Sequence, residues 1–262
     1  HADSVPDTKR AESPVVDPGT LPQEITVVEA SRRIKGFALP AVWFPYVKTG
    51  QSPTGFACDL SGGKFGPFQG QLFVGEFVLS GVNRVFLEKV QGEYQGAVFK
   101  FVDGLQGAAL SLAFLPDGSL LVGESNRGWN SQGTRSFGLE RIRWKGEVPF
   151  EIEKMEARPD GFQLTFTQPV DEVTAARIAN YQMTSYTYLY HQKYGGDEVE
   201  TMPVLVTEAV VTDNGRKVHL ICSGLREGYV HELHVDAIKS AQGKLLEHAE
   251  AYYTLNRLPA AK

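Results

Sequence analysis

From residue 52 onward, apolar residues recur at every second position in short runs separated by glycine, proline, asparagine and aspartate, the period of half-buried strands. Strands are predicted over residues 54–59, 71–77, 82–90 and 94–101, together one four-stranded sheet. A second group is predicted over residues 108–114, 119–124 and 138–144. The Pro116-Asp-Gly118 turn between its first two members supplies the positive φ a hairpin needs. The two groups are copies of one pattern. Gln69-Gly-Gln-Leu-Phe-Val-Gly-Glu76 matches Asp117-Gly-Ser-Leu-Leu-Val-Gly-Glu124 at a constant offset of 48 residues. Each copy is followed by an arginine-bearing strand, Val82-Asn-Arg-Val-Phe-Leu87 in one and Leu139-Glu-Arg-Ile-Arg-Trp144 in the other. A period of about 40 to 50 residues with several short strands per unit is that of a β-propeller blade, because one small sheet cannot bury its face alone and stacks on the next. Two blades do not close a ring of about four to eight, so earlier blades are expected upstream. Between Ser125 and Phe137 the second copy carries an insertion about nine residues longer than its counterpart, and such insertions lie on one rim of a repeat array, where binding is common.

On either side the pattern changes. Residues 1–23 are polar and carry Pro6, Pro14, Pro18 and Pro22, the composition of an extended or disordered arm. Residues 26–34 read as two helical turns ending near Gly36. Leu39-Pro-Ala-Val-Trp-Phe-Pro-Tyr46 sets aromatics between prolines, which suits an edge strand or a loop laid over a core. After Lys145-Gly146 the alternation resumes over residues 149–157 and 162–166, with a short helix over 172–178. Further strands are predicted over 182–190, 203–212, 217–222, 229–235 and 252–255, with Asn214-Gly215 as a hairpin turn. About seven alternating strands in about 110 residues read as a β-sandwich. The expected division is an arm over residues 1–38, a partial β-propeller of about two blades over 39–147 and an Ig-like β-sandwich over 148–258, all-β throughout.

Composition narrows the partners. A net charge of -5 and a pI near 5.7 argue against nucleic acid, which requires a concentrated basic face. No apolar run is long enough to span a membrane. The chain opens at His1 without a leader pattern and reads as a processed product or a piece of a longer chain. Cys58 and Cys222 lie far apart, so a disulfide between them is not expected, and no Cys-x-x-Cys pair offers a zinc or haem site.

Residues 39–147 resemble the last blades of the glucose/sorbosone dehydrogenase-like propellers, the class that includes soluble pyrroloquinoline-quinone sugar dehydrogenases. The resemblance rests on Gly66-Pro-Phe-Gln-Gly-Gln-Leu-Phe-Val-Gly-Glu76, on Leu112-Ala-Phe-Leu-Pro-Asp-Gly-Ser-Leu-Leu-Val-Gly123 and on Gly138-Leu-Glu-Arg-Ile-Arg143. The second half resembles bacterial Ig-like domains through Leu164-Thr-Phe-Thr-Gln-Pro-Val-Asp171, Asn180-Tyr181 and Leu225-Arg-Glu-Gly-Tyr229. These resemblances imply a secreted or periplasmic protein, the C-terminal segment of a sugar or polyol dehydrogenase-like quinoprotein that is inactive in isolation. Pyrroloquinoline quinone and calcium enter only as implications of the family. Its histidine base would come from blades upstream, since residues 40–147 contain no histidine. The alternative is a non-catalytic carbohydrate- or protein-binding or structural module of a large extracellular protein.

Several residues are candidates for chemistry. In the insertion, Asn126, Arg127 and Trp129 offer an anionic ligand such as a quinone carboxylate a guanidinium fork and an indole, or else staple the loop. Glu76 and Glu124 recur at equivalent strand ends; carboxylates there suit calcium or acid–base work, but their repetition favours a shared structural role, such as pairing with Arg84 and Arg141. Tyr186, Tyr188 and Tyr190 share one face of a predicted strand: an exposed row would stack on sugar rings, an inward row is core. His231 and His234 fall on opposite faces of a strand and do not form a metal pair. No hydrolase elbow, P-loop or dinucleotide fingerprint is present.

Overall fold

The structure, a computed structural model, describes residues 25–191 and 193–260; the part of the expected arm over residues 1–24 lies outside them. Among the described residues the regular structure is mostly strand: β1 (Pro53–Cys58), β2 (Leu72–Glu76), β3 (Gly81–Val90), β4 (Glu93–Val102), β5 (Ala109–Phe114), β6 (Leu120–Ser125), β7 (Phe137–Ile142), β8 (Ile152–Arg158), β9 (Gly161–Phe166), β10 (Tyr181–Tyr188), β11 (Glu198–Thr212), β12 (Lys217–Ser223), β13 (Tyr229–Val235) and β14 (Glu250–Leu255). Two short helices interrupt it, α1 (Val27–Arg33) and α2 (Glu172–Ala175). Thr26 caps α1 by accepting the Glu29 amide at 3.1 Å, and Val27, Val28 and Ala30 turn inward. Residues 37–44 are irregular and lay Phe37, Leu39, Trp43 and Phe44 over a core.

The strands form an antiparallel sheet in the order β1-β2-β3-β4-β14-β13-β10-β11-β12-β9-β8, and a separate β5-β6-β7 sheet. The strands before and after residue 147 thus share one sheet, joined where β14 pairs with β4 through Tyr252↔Val98, Tyr253↔Ala97 and Thr254↔Gly96. The expected boundary at residue 147 therefore does not coincide with an edge of this sheet. β11 carries the sheet from one layer to the next: its first half pairs with β10 and its second, after a bulge, with β12. Pro203 sits in the first half, pairs only with β10, and so removes no ladder bond on its other side. The doubled sheet encloses the largest core, where Phe99, Met183, Leu233 and Tyr253 meet Met155, Phe162, Leu164 and Leu220. Cys58 and Cys222 are both free thiols.

The repeat is visible as packing. The β5-β6-β7 sheet lies on β1 and β2, burying Phe65, Phe73, Val82, Leu120 and Val122 between them. In each copy the glycine of Val-Gly-Glu leaves room for a hydroxyl side chain of the preceding strand. A Cβ on Gly75 would lie 2.7 Å from Thr54 Oγ1, and one on Gly123 would lie 2.6 Å from Ser111 Oγ. The shared motif therefore records close approach within each sheet.

The arginines and glutamates of the repeat do not pair as expected. Arg84 is buried, stacked between Phe68 and Phe99, and donates to Gln71 Oε1 and to the carbonyls of Ile152 and Glu153, tying β3 to β8. Burial lowers it to about 10, so it remains a cation at neutral pH. Arg141 is half-exposed and binds Asp117 and Ser119. Glu76 accepts three loop amides instead, Gln51, Ser52 and Leu79. Glu124 is buried beside Gly107 and Gly138 with neither carboxylate oxygen in a well-formed hydrogen bond. The difference follows from β8: it covers β3 and offers carbonyls to Arg84, and among the described residues β7 has no such neighbour.

Candidate functional site

The insertion after β6 is fastened at both ends and open at its apex. Asn126 Oδ1 accepts from the Ala108 amide at 2.8 Å and from Ser131 Oγ at 2.9 Å. Further along, Gln132 N donates to Val78 O, Gly133 N to Ser80 Oγ and Arg135 N to Gln106 O, each at 2.8 Å. Gly133 lies so close to the backbone of Gln106 and Gly107 that a Cβ there would stand 2.7 Å from both. The predicted trio is thereby split. Asn126 works inside the loop, whereas Arg127 and Trp129 stand out at its tip.

The row of three tyrosines turns inward. Tyr186 and Tyr188 are buried, Tyr188 against Trp43 with ring centroids 5.0 Å apart, and Tyr190 packs edge-on against Phe37. None of the three is free to stack on a sugar ring. Burial pushes the Tyr186 and Tyr188 phenols far above their ordinary value, and nearby Glu198 and Glu232 add to it.

A different tyrosine meets the insertion. Tyr194, in the β10–β11 loop, lies beside Trp129 with ring centroids 6.2 Å apart and planes tilted by 57°. Trp129 is 57% exposed and Tyr194 61%. Tyr194 is held from behind: its hydroxyl donates to Gln51 O, and the adjoining Gly195 lies against the ring of Tyr46, where a Cβ would come within 2.6 Å. Gln51 is fixed in turn, because its amide donates to Glu76 Oε1 at 2.7 Å. Sequence reasoning selected Glu76 as structural but missed Tyr194, which lies outside the alternating strand and carries no local signal.

Below this surface, the Pro45–Gly50 turn is clamped to the sheet by Lys48. Its ammonium lies 2.7 Å from Glu198 Oε1 and 2.6 Å from Glu232 Oε2, and 5.0 Å from the Tyr186 ring centroid. Burial works against the charge, but the two carboxylates outweigh it and hold Lys48 above its ordinary value. Glu232 also bonds His234 Nε2 at 2.6 Å. His231, on the other face of β13, is fully buried against Phe162, and that burial pushes it down to about 3. The two histidines thus diverge as the strand period requires.

A separate cleft of about 520 Å³ opens between α1, residues 37–41 and the start of β4. Of the charged groups that line it, Arg257 pairs with Glu93 at 2.9 Å and Glu227 accepts the Leu258 amide at 2.7 Å, and Arg32 lines it as well. Among the described residues no group of three or more histidine, cysteine, aspartate or glutamate side chains is arranged to hold a metal ion, and no helix is long and apolar enough to cross a membrane. The Trp129–Tyr194 pair presents two exposed aromatic faces, and the exposed Arg127 lies two residues before Trp129 in the same loop.

No family model matches the chain, and no curated protein matches it. Among solved structures it is similar to the surface-layer protein SbsC, domains 1–6, at 18% identity and a TM-score of 0.33, over 45% of this chain and 15% of that one. A second SbsC structure, residues 31–844, gives 20% identity and a TM-score of 0.33, over 44% and 15%. The chain therefore spans about 15% of the length of these proteins. A structure described as a candidate gluconolactonase covers 74% of this chain and 73% of its own, at 14% identity and a TM-score of 0.19. Likenesses at these scores do not assign a family.

Proposed function

We propose that this chain is a non-catalytic carbohydrate-binding module of an extracytoplasmic protein, with Trp129 and Tyr194 as its stacking platform. The observation that carries this reading is the pair itself: two aromatic rings more than half exposed and side by side, contributed by loops far apart in the chain and each fastened to a rigid sheet. Aromatic faces pack against the C–H face of a pyranose ring, and an apolar body with a polar edge is suited to a wet, partly apolar ligand. Pre-ordering of both loops lowers the entropy lost on binding. Arg127 beside the platform favours saccharides carrying carboxylate or sulfate groups.

The competing reading, a segment that completes a quinone-dependent sugar dehydrogenase with partner blades upstream, draws on the same insertion. In that reading Asn126, Arg127 and Trp129 hold the quinone, with Arg127 and Trp129 lent to the pocket, whereas Asn126 is committed within its own loop to the amide of Ala108. The binding module is therefore preferred.

The test is binding of neutral and acidic polysaccharides, measured by affinity electrophoresis and calorimetry, for the native chain and for Trp129→Ala and Tyr194→Ala. Each substitution is expected to weaken binding at least about tenfold, corresponding to about 1.4 kcal/mol. Binding that survives both substitutions, or no saccharide bound at all, refutes the platform.

A further inference from the structure

The insertion after β6 is seated on a short segment, residues 106–108, and two carboxyl groups close on the same segment from the sheet. On the insertion's side, Asn126 Oδ1 takes the Ala108 amide, the Arg135 amide donates to Gln106 O, and Gly133 presses on the backbone of Gln106 and Gly107. On the sheet's side, Glu140 accepts the Gln106 amide at 2.8 Å and Gln106 Nε2 at 3.2 Å. Glu124 completes this layer. A Cβ on Gly107 would stand 3.1 Å from Glu124 Oε2 and 3.1 Å from the carbonyl oxygen of Arg135, so the carboxyl and the insertion meet at one glycine.

Register makes the two carboxyls neighbours. Glu124 pairs with Gly138 and Val122 with Glu140, which sets Glu124 and Glu140 diagonally on the inward face of β6 and β7. Glu124 is buried, and neither of its oxygens has a well-formed hydrogen bond. The charges that act on the pair are few. Glu140 faces Glu124 from β7, and Arg135 of the insertion acts on Glu140. Glu76 of β2 is taken up by three loop amides, and Arg127 stands out at the insertion's tip. Residues 78–80, residues 105–108 and β5 bring no titratable side chain. Burial first, and then Glu140, raise the Glu124 carboxyl from 4.5 to about 7. Burial opposes the charge of Glu140 as well, but the Gln106 amide and Glu124 outweigh it and hold Glu140 low. A proton on Glu124 is thus one that Glu140 can share, and without it two anions face each other beside the Arg135 carbonyl.

We propose that Glu124 and Glu140 form a proton-operated latch for the insertion: the proton they share keeps residues 126–136 seated on residues 106–108, and its loss loosens them. Loosening admits water to Glu124 and relieves the repulsion. Because the carboxyl binds its proton more tightly in the closed state than in water, closure is fully supported below about pH 4.5 and progressively less as pH rises to about 7. Between about pH 5.5 and about pH 8.5 the opening equilibrium shifts by about thirtyfold, levelling off above about pH 7. Trp129 rides on the insertion, so saccharide binding, which rests on the preceding reading, weakens over the same range.

Hydrogen exchange of the full chain without ligand, followed by mass spectrometry across this range and corrected for the intrinsic pH dependence of exchange, tests the latch. The amides of Gln132, Gly133 and Arg135, which fasten the insertion, are expected to lose about thirtyfold in protection. Glu124→Gln keeps a donor toward Glu140 and is expected to hold protection constant. Glu140→Gln removes the opposing charge and is expected to shrink the change to below about tenfold. No saccharide enters the readout, so the latch and the aromatic platform fail separately. Three results overturn the proposal: native protection that does not fall with pH, a fall that persists in Glu124→Gln, or insertion amides that exchange as slowly as those of β9 and β13, which would mean opening only by unfolding of the whole molecule.

Discussion

Glu124 is a carboxyl placed where a carboxylate is poorly served, and replacing it with glutamine should reverse the usual sign of a core substitution. The side chain is 6% exposed and its oxygens lack well-formed hydrogen bonds. Burial first, and then the neighbouring Glu140, raise it from 4.5 to about 7. Glu140 is itself held low, chiefly because it accepts the Gln106 amide at 2.8 Å. Since the folded value lies above the unfolded one, the folded state binds the proton more tightly. Stability is therefore fully present below about pH 4.5 and declines as pH rises toward about 7. At about 1.4 kcal/mol per pH unit, the loss above pH 7 is on the order of 3 kcal/mol. Glu124→Gln keeps the shape and removes the titration. Urea unfolding at about pH 5 and about pH 8 should show the variant near native stability at the lower pH and more stable than native by roughly 2–3 kcal/mol at the higher. Groups other than Glu124 and its neighbour Glu140 titrate alike in both proteins, so the difference isolates this pair. A difference that stays constant with pH to within about 0.5 kcal/mol refutes the reasoning.

Two other substitutions test the packing. Arg84→Ala leaves the Ile152 carbonyl and Gln71 Oε1 without their buried donor, while the Glu153 carbonyl keeps Gln71 Nε2, and opens a gap between two phenylalanine rings; a loss of about 3–5 kcal/mol is expected by denaturant titration. Gly75→Val would press a branched side chain against Thr54 Oγ1 and Leu112 Cδ1, both within 2.8 Å of a Cβ, and should cost about 1–3 kcal/mol, read as a lower thermal midpoint.

Much of the fold is legible in the sequence because its signals are local. The hairpin at Pro116-Asp-Gly118 is one: Gly118 has φ 88°. Asn214-Gly215 is another, with φ 51° and 80°. The two copies of Val-Gly-Glu foretell two similar sheets, and the alternation in β13 separates His231 from His234. What the sequence does not carry is pairing at a distance. Nothing in Ala97-Val98 or Tyr252-Tyr253 names the other as neighbour, because strands buried on both faces look alike. The candidate site fails for the same reason. Trp129 was selected as a rim residue, but its partner Tyr194 is brought to it only by tertiary structure, and the tyrosines chosen by period face the core. Equivalent sequence positions also met unequal neighbours, so Arg84 and Arg141 took different partners.

The placement of β14 governs how the chain can be made. It is the latest strand in chain order, yet it sits in the middle of the large sheet, between β4 and β13. While a ribosome is still producing residues before 250, β4 and β13 both present raw edges, and the ladder linking the two halves cannot form. Folding of the large sheet is thus postponed until nearly the whole region has emerged, and it closes through contacts of long sequence separation, the slow kind. Premature termination before residue 250 would release a chain with two open strand edges, a substrate for aggregation and for chaperones, rather than a smaller folded domain.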